Sequence, residues 1–198
     1  MEYKEIISSG YDQISEWYLN LNRGSKYGME FVRKAINKDD FKSNALDIGC
    51  GVGGEILNLL QETGYSITGV DISQRMLEVA VGKYPKVDFF HSDFMDWASD
   101  DNYSLIVAWD SLFHLPSYLQ VRALEKALHL LDSGGIFIFT GGGIDGDIWG
   151  EMNGVKFSYG SIAISKCVDT VEKSGCSILY IERDQDDDHI VYIVKKNA

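Results

Sequence analysis

From Asn44 onward, short apolar runs alternate with helical patterns, and this alternation restricts the chain to one fold class. The runs at 45–48, 67–70, 87–90, 105–109 and 136–139 read as buried strands. Between them lie helical stretches at 55–63, 73–83 and 117–131. In the last, Val121, Leu124, Leu128 and Leu131 fall on one face at the spacing an amphipathic helix requires. Buried strands separated by such helices predict right-handed crossovers and a largely parallel sheet.

The end of the chain breaks the pattern. A helical stretch near 162–173 stops at Gly175, a good C-terminal cap. Strands at 178–182 and 190–194 follow, joined by the polar segment 183–189, which is too short for a parallel crossover. The expectation is therefore an α/β fold: a doubly wound, mostly parallel, seven-stranded Rossmann-like sheet with one reversed C-terminal strand and helices on both faces. The length of 198 residues fits a single domain over 1–198. Ahead of the first strand, Tyr11, Ile14, Tyr18 and Leu21 form a stripe at helical spacing with Trp17 beside it. Residues 1–40 thus read as a helical cap sealing the sheet edge, or as a lid whose Tyr11 and Tyr18 also close over a ligand.

Charge narrows the partners. The chain has 18 basic and 30 acidic side chains and a net charge of −12. That argues against a nucleic-acid or anionic-membrane surface, each of which needs clustered Lys and Arg, and it permits a neutral or cationic small molecule. Cys50, Cys167 and Cys176 lie far apart without a CxxC pair, so neither a disulfide framework nor a zinc site is expected. No basic-then-apolar leader opens the chain, and no apolar stretch approaches the roughly 20 residues of a membrane span. The expectation is a cytoplasmic protein. The run Asp184–His189 suggests a metal, but consecutive Asp side chains point apart, so a solvated hairpin with no metal is the expectation.

The richest segment is Asp47-Ile48-Gly49-Cys50-Gly51-Val52-Gly53-Gly54, where a strand must turn into a helix. Gly49, Gly51 and Gly54 satisfy GxGxxG, so the glycines alone leave a nicotinamide or flavin cofactor open. Three carboxylates narrow the choice. Asp47 lies inside the strand end, where a pyrophosphate gains nothing and a cofactor with an ammonium and a sulfonium gains directly or through water. Asp71, ending the second strand, can accept both hydroxyls of a ribose. Asp93 follows the third strand, where it can accept from an adenine amino group, with Ile72 and Phe94 as apolar faces for the ring.

Asp47 with its glycine loop, Asp71, Asp93 and Trp109 at the end of the fourth strand resemble the successive motifs of class I S-adenosylmethionine-dependent methyltransferases. The resemblance covers residues 40–140, and Gly134-Gly135 before the fifth strand is similar to the family's Gly-Gly turn. It implies S-adenosylmethionine as cofactor, held by Tyr11, Tyr18, Asp47, Gly49, Cys50, Gly51, Asp71, Ile72, Met76, Asp93, Phe94 and Trp109, and an enzyme acting as monomer or homodimer on a small-molecule methyl acceptor. The competing readings are an NAD(P)-dependent Rossmann oxidoreductase, which Asp47 disfavours, and a non-catalytic S-adenosylmethionine-binding module.

The acceptor side should lie at the ends of strands four and five. There His114 is the candidate proton acceptor, because imidazole titrates in the useful range, and Asp110 is the second. Neither stands in an Asn/Asp-Pro-Pro-Tyr/Phe signature, which lowers nucleic acid as substrate. Six glycines in 141–154 rule out a continuous helix, so 141–160 is expected to be a glycine-rich substrate-side loop. In it Trp149 and Met152 cover the substrate, or Trp149 anchors the loop; Tyr159 shares the ambiguity. Asp184-Gln185 with His189 also resembles a segment of small bacterial methyltransferases of unassigned substrate, which implies that Asp184 or His189 reaches the pocket.

Overall fold

The computed structural model describes residues 2–186 and 189–198. Seven strands form one sheet: β1 Asn44–Ile48, β2 Ser66–Asp71, β3 Asp88–His91, β4 Tyr103–Ala108, β5 Leu131–Gly141, β8 Cys176–Arg183 and β9 Ile190–Lys196. Their order is β3-β2-β1-β4-β5-β9-β8. All neighbours are parallel except β9, which runs antiparallel to both β5 and β8. The expected doubly wound sheet with one reversed strand is the observed one.

Strand periodicity splits the core between two faces. Leu46, Ile106 and Phe137 turn to the face covered by α5 (Ser117–His129) and α6 (Ile164–Lys173). Ala45, Leu105, Val107 and Ile138 turn to the other, against α2 (Met29–Ile36) and α3 (Glu55–Thr63). The strand order reverses its direction of growth between β1 and β4. In such sheets, ligands bind outside the carboxyl ends of the strands at that switch point.

The N-terminal helix α1 (Tyr3–Leu21) is pinned at several places. Asp12 Oδ1 accepts from Ser73 Oγ at 2.6 Å and from the Arg75 backbone N–H at 3.0 Å, at the start of α4 (Gln74–Lys83). Ser73 also caps α4 by accepting from the Met76 N–H. Of the aromatic-flanked stripe, Ile14 is buried, whereas Leu21 at the frayed end is exposed.

One segment differs from expectation. The glycine-rich loop over 141–160 is in large part a hairpin, β6 Gly146–Met152 paired with β7 Val155–Ser161. Six glycines forbid a helix but not a strand, and Asn153-Gly154 supplies the turn. Both residues have positive φ, 48° and 78°, and Met152 pairs directly with Val155, as in a two-residue type I′ hairpin. β7 packs on α1 through Phe157, which lies against Gly10. Trp149 is 64% exposed, so it is no buried anchor, while Met152 packs beside α1.

The β8–β9 turn also corrects a reading. Asp187 and Asp188 lie outside the described residues, but Asp184, expected in a solvated hairpin, is buried. Among the described residues no group of His, Cys, Asp and Glu could hold a metal, and no helix is long and apolar enough to cross a membrane.

Candidate active site

Two adjoining cavities open at the switch point, one of about 740 Å³ and one of about 670 Å³. Tyr18, Gly49, Gly51, Trp109 and Asp110 line both. The larger also takes Tyr11, Asp71, Ile72, Met76, Asp93, Phe94 and His114; the smaller takes Asp47 and Cys50. Every residue expected to hold the cofactor thus lines one cavity or the other.

The glycine loop is wired to β2 by Asp71. Its Oδ2 accepts from the Gly51 N–H and its Oδ1 from the Ser73 N–H, both at 2.8 Å. Each oxygen keeps a second lone pair for a ribose hydroxyl. Gly49 has φ 73°, and a Cβ there would overlap the Ser111 side chain. Gly51 has φ 52°, and a Cβ would meet nothing within 4 Å, so open space lies where a ligand would pass. Ser111 Oγ, beside Gly49 in the cavity wall, is buried and has no hydrogen-bond partner among the described residues. After β3, Asp93 Oδ1 accepts from the Met95 N–H at 2.7 Å. Lys126 of α5 holds that turn by donating to the carbonyls of Phe94 and Trp97. These features fit S-adenosylmethionine: a glycine loop with open space at Gly51, carboxylates at the end of β2 and just after β3, apolar Ile72 and Phe94, and buried acids for its positive end.

Burial sets the electrostatics. Asp47 is pushed up to about 7, by desolvation first and the Asp71 charge second. Asp71 is pushed up to about 6 by desolvation, which the Ser73 and Gly51 N–H groups partly offset. Raised carboxyls favour the folded state when protonated. Their contribution to the unliganded fold is complete below the unfolded value of 3.8 and is lost as pH rises through about 6 to 7. His114 works oppositely: burial lowers it from 6.5 to about 4, so its contribution is lost as pH falls through that interval. A melting temperature that declines from about pH 4 to about pH 7 and levels off above it, with Asp47→Asn flattening the decline, is therefore expected for the unliganded protein. A flat wild-type profile would contradict this charge assignment.

His114 is buried and neutral. Its Nδ1 faces the Ser158 carbonyl at 3.3 Å and its Nε2 lies 2.6 Å from the Tyr11 hydroxyl. With Nδ1 protonated, Nε2 accepts from Tyr11, and both ring nitrogens are engaged. The imidazole thus ties α1 to β7. Removing it in His114→Phe leaves Tyr11 without its acceptor, which costs about 1–3 kcal/mol. Thermal melts should show that loss, with cofactor affinity within a few-fold of wild type; an unchanged melt would remove the tie.

Trp109 is held by neighbours that sequence reading missed. Phe31 stacks on it at 6.1 Å and Tyr27 meets it edge-on at 5.6 Å. Gly28, with φ 74°, crosses so close that a Cβ would overlap the indole ring. The Gly28 N–H donates to Gln185 Oε1 at 2.6 Å and Tyr27 Oη to Asp184 Oδ2 at 2.5 Å. Asp184 and His189 therefore stand behind Trp109 and Asp110, beside the cavities and outside their lining. Tyr3 and Ile7, also lining, extend the Tyr11 stripe back by eight and four residues; that periodicity was the available signal.

Residues 45–135 match the description "Methyltransferase domain". The chain is 30% identical over 145 residues to demethylmenaquinone methyltransferase of Staphylococcus aureus, covering 68% of this chain and 59% of that protein. It is 30% identical over 93 residues to trans-aconitate 2-methyltransferase of Rhizobium rhizogenes, covering 46% and 36%. The chain spans between 36% and 59% of the length of these relatives. Among solved structures, an S-adenosylmethionine-dependent methyltransferase from Clostridium acetobutylicum superposes with a TM-score of 0.72 at 16% identity, over 95% of this chain and 99% of that one. The [4+2]-cyclase SpnF superposes at 0.73 and 15% identity, over 97% and 95%. At such identities the likeness is one of fold.

Proposed function

We propose that this chain is a class I S-adenosylmethionine-dependent methyltransferase that transfers a methyl group to a small-molecule acceptor by in-line displacement, a reading supported by the methyltransferase-domain match over residues 45–135 and by the methyltransferase relatives named above. One observation carries the reading: Gly49, Gly51, Asp71, Asp93 and Phe94 line a single cavity together with Trp109, Asp110 and His114. When bound, S-adenosylmethionine supplies an activated methyl on a leaving group that departs neutral.

The chain's own residues then have three tasks. Asp71 and Asp93 fix the nucleoside end; Asp47 and the 49–51 backbone take the amino-acid end. Tyr11, Tyr18 and Trp109 exclude water and align the acceptor. Such alignment can contribute roughly 7–11 kcal/mol without an acid or base. Where a proton must leave, Asp110 is the better acceptor, because His114 Nε2 already accepts from Tyr11. α1 and the β6–β7 hairpin act as the cover over the cavity mouth. The relatives named above carry different acceptors in their names, so the acceptor has to be read from this chain.

Cofactor binding should release protons near pH 7, since a positive ligand draws Asp47 and Asp71 down from about 7 and 6. Calorimetry with S-adenosylmethionine in two buffers of different ionisation enthalpy measures this. Release that fades above pH 8 supports the assignment; proton uptake opposes it. The reaction itself is tested by following S-adenosylhomocysteine formation across a panel of small acceptors. Turnover with none, despite cofactor binding, would leave a binding module.

A further inference from the structure

Among the described residues, Asp110 is the one acidic side chain that lines both cavities. The other acids in those walls have places of their own: Asp71 holds the glycine loop, Asp93 the Met95 turn, Asp47 sits at the strand end in the smaller cavity, and Glu55 opens α3 beside it. Asp110 has φ 50°, the left-handed region that a non-glycine residue occupies only where its surroundings hold it there. Those surroundings are specific. The Asp110 N–H donates to Thr140 Oγ1 at 2.9 Å, and Thr140 Oγ1 donates to Asp110 Oδ1 at 3.1 Å. His189 Nδ1 lies 3.9 Å from the same Oδ1 and 3.0 Å from Asp184 Oδ2. The Asp184 side chain has no exposed surface, and the His189 ring stacks on Phe113 at 5.0 Å and 9°. Thr140 of β5 and the β8–β9 turn thus converge on the one carboxylate that the two cavities share.

The walls around it share a sign. Among the described residues lining the two cavities there is no Lys or Arg. The rings of Tyr18 and Trp109 flank Asp110 there, and aromatic faces beside a carboxylate attract a cation. A carboxylate acceptor would face like charges without a counter-ion; an amine would not.

Building on the methyltransferase reading, we propose that the methyl acceptor is a small primary or secondary amine that docks on Asp110, with His189 and Asp184 as positioning residues that hold the Asp110 carboxylate. The amine enters as its ammonium and gives one proton to Asp110. Its freed lone pair forms the new N–C bond to the methyl as the C–S bond breaks, the electron pair of that bond staying on sulfur. Asp110 passes its proton to solvent, and the N-methylated product leaves as an ammonium.

The test uses the full chain saturated with S-adenosylhomocysteine and a ligand library of small amines matched with carboxylates and phenols of the same skeletons, such as benzylamine, benzoate and phenol. Binding is read by ligand-observed NMR, and turnover with S-adenosylmethionine by S-adenosylhomocysteine release. Amines should be enriched among binders, be the turned-over class, and lose at least tenfold in affinity in Asp110→Asn. Asparagine tolerates positive φ, so the backbone is preserved; Asp110→Glu, which keeps the charge, should keep the preference for amines. His189→Gln should shift the pH profile of kcat without changing S-adenosylhomocysteine affinity.

Four outcomes overturn the proposal: carboxylates or phenols binding as well as amines, no amine binding, a preference that survives Asp110→Asn, or S-adenosylmethionine affinity falling in Asp110→Asn while S-adenosylhomocysteine affinity holds. The last would assign Asp110 to the sulfonium. Failure of wild-type protein to bind S-adenosylhomocysteine is a separate result, and it removes the methyltransferase reading itself.

Discussion

Gly160→Ala is expected to lower stability by about 3 kcal/mol and to loosen the β6–β7 hairpin from the rest of the protein. A Cβ at Gly160 would overlap the Leu115 carbonyl oxygen and stand 2.5 Å from the Ser117 nitrogen and 2.8 Å from the Pro116 carbonyl carbon. All three are backbone atoms, so no rotamer change relieves the overlap, and overpacking of this kind costs about 1–3 kcal/mol or more. The shift also threatens Gln120, whose Nε2 donates to the carbonyls of Leu112, Leu115 and Gly160 together. For a chain this long, about 3 kcal/mol corresponds to a fall in melting temperature of about 10 °C. Hydrogen exchange should quicken over 146–161 and in the His114 turn, while β1 and β4 keep their protection. A melt within 2 °C of wild type would mean that the hairpin is not seated on the 115–117 backbone.

Asp71→Ala is the variant with the largest expected effect on ligand binding. The carboxylate accepts from two backbone N–H groups and, in the proposed complex, from both ribose hydroxyls. Hydrogen bonds to a charged acceptor contribute about 1.5–3 kcal/mol each. Losing the ribose pair should weaken S-adenosylhomocysteine binding about a hundredfold or more. Stability should fall as well, by about 1–3 kcal/mol for each buried backbone N–H left without its acceptor, so affinity is compared well below the variant's own melting temperature. Asp71→Asn, which keeps an acceptor oxygen for the loop, should fall between. Calorimetry gives the affinities and a thermal melt the control; an unchanged dissociation constant would refute the ribose assignment.

The parts of this protein that could be read from sequence are those where one local rule decides. The strands β1, β2 and β4 are continuous apolar runs, and no other element accommodates them between such helices. The glycine loop and the carboxylates at 47, 71 and 93 sit at strand ends, where a side chain's position follows from the strand alone. The reversed β9 followed from the length of one turn.

What escaped needed contacts between distant segments. Tyr27 meets Trp109, and Gln185 holds Gly28 against it, only because residues 25–28 and the β8–β9 turn meet across more than 150 positions of sequence. Asp184 stands in an acidic run that reads as solvated, and it is buried because Tyr27 and His189 both bond it. His114 carries the residue type of a base; its engaged nitrogens depend on α1 and β7. The hairpin was legible and missed. Asn153-Gly154 is a strong turn signal, but the glycine count around it drew attention to flexibility instead.

The central claim is that the cavity at the β1–β4 switch point is built for S-adenosylmethionine, and calorimetric titration with S-adenosylhomocysteine tests it most directly, with NADH and NADPH as controls. The account predicts micromolar binding of S-adenosylhomocysteine alone, abolished or greatly weakened in Asp71→Ala. Binding of a nicotinamide nucleotide in its place would contradict the assignments of Asp47, Asp71 and Asp93 together.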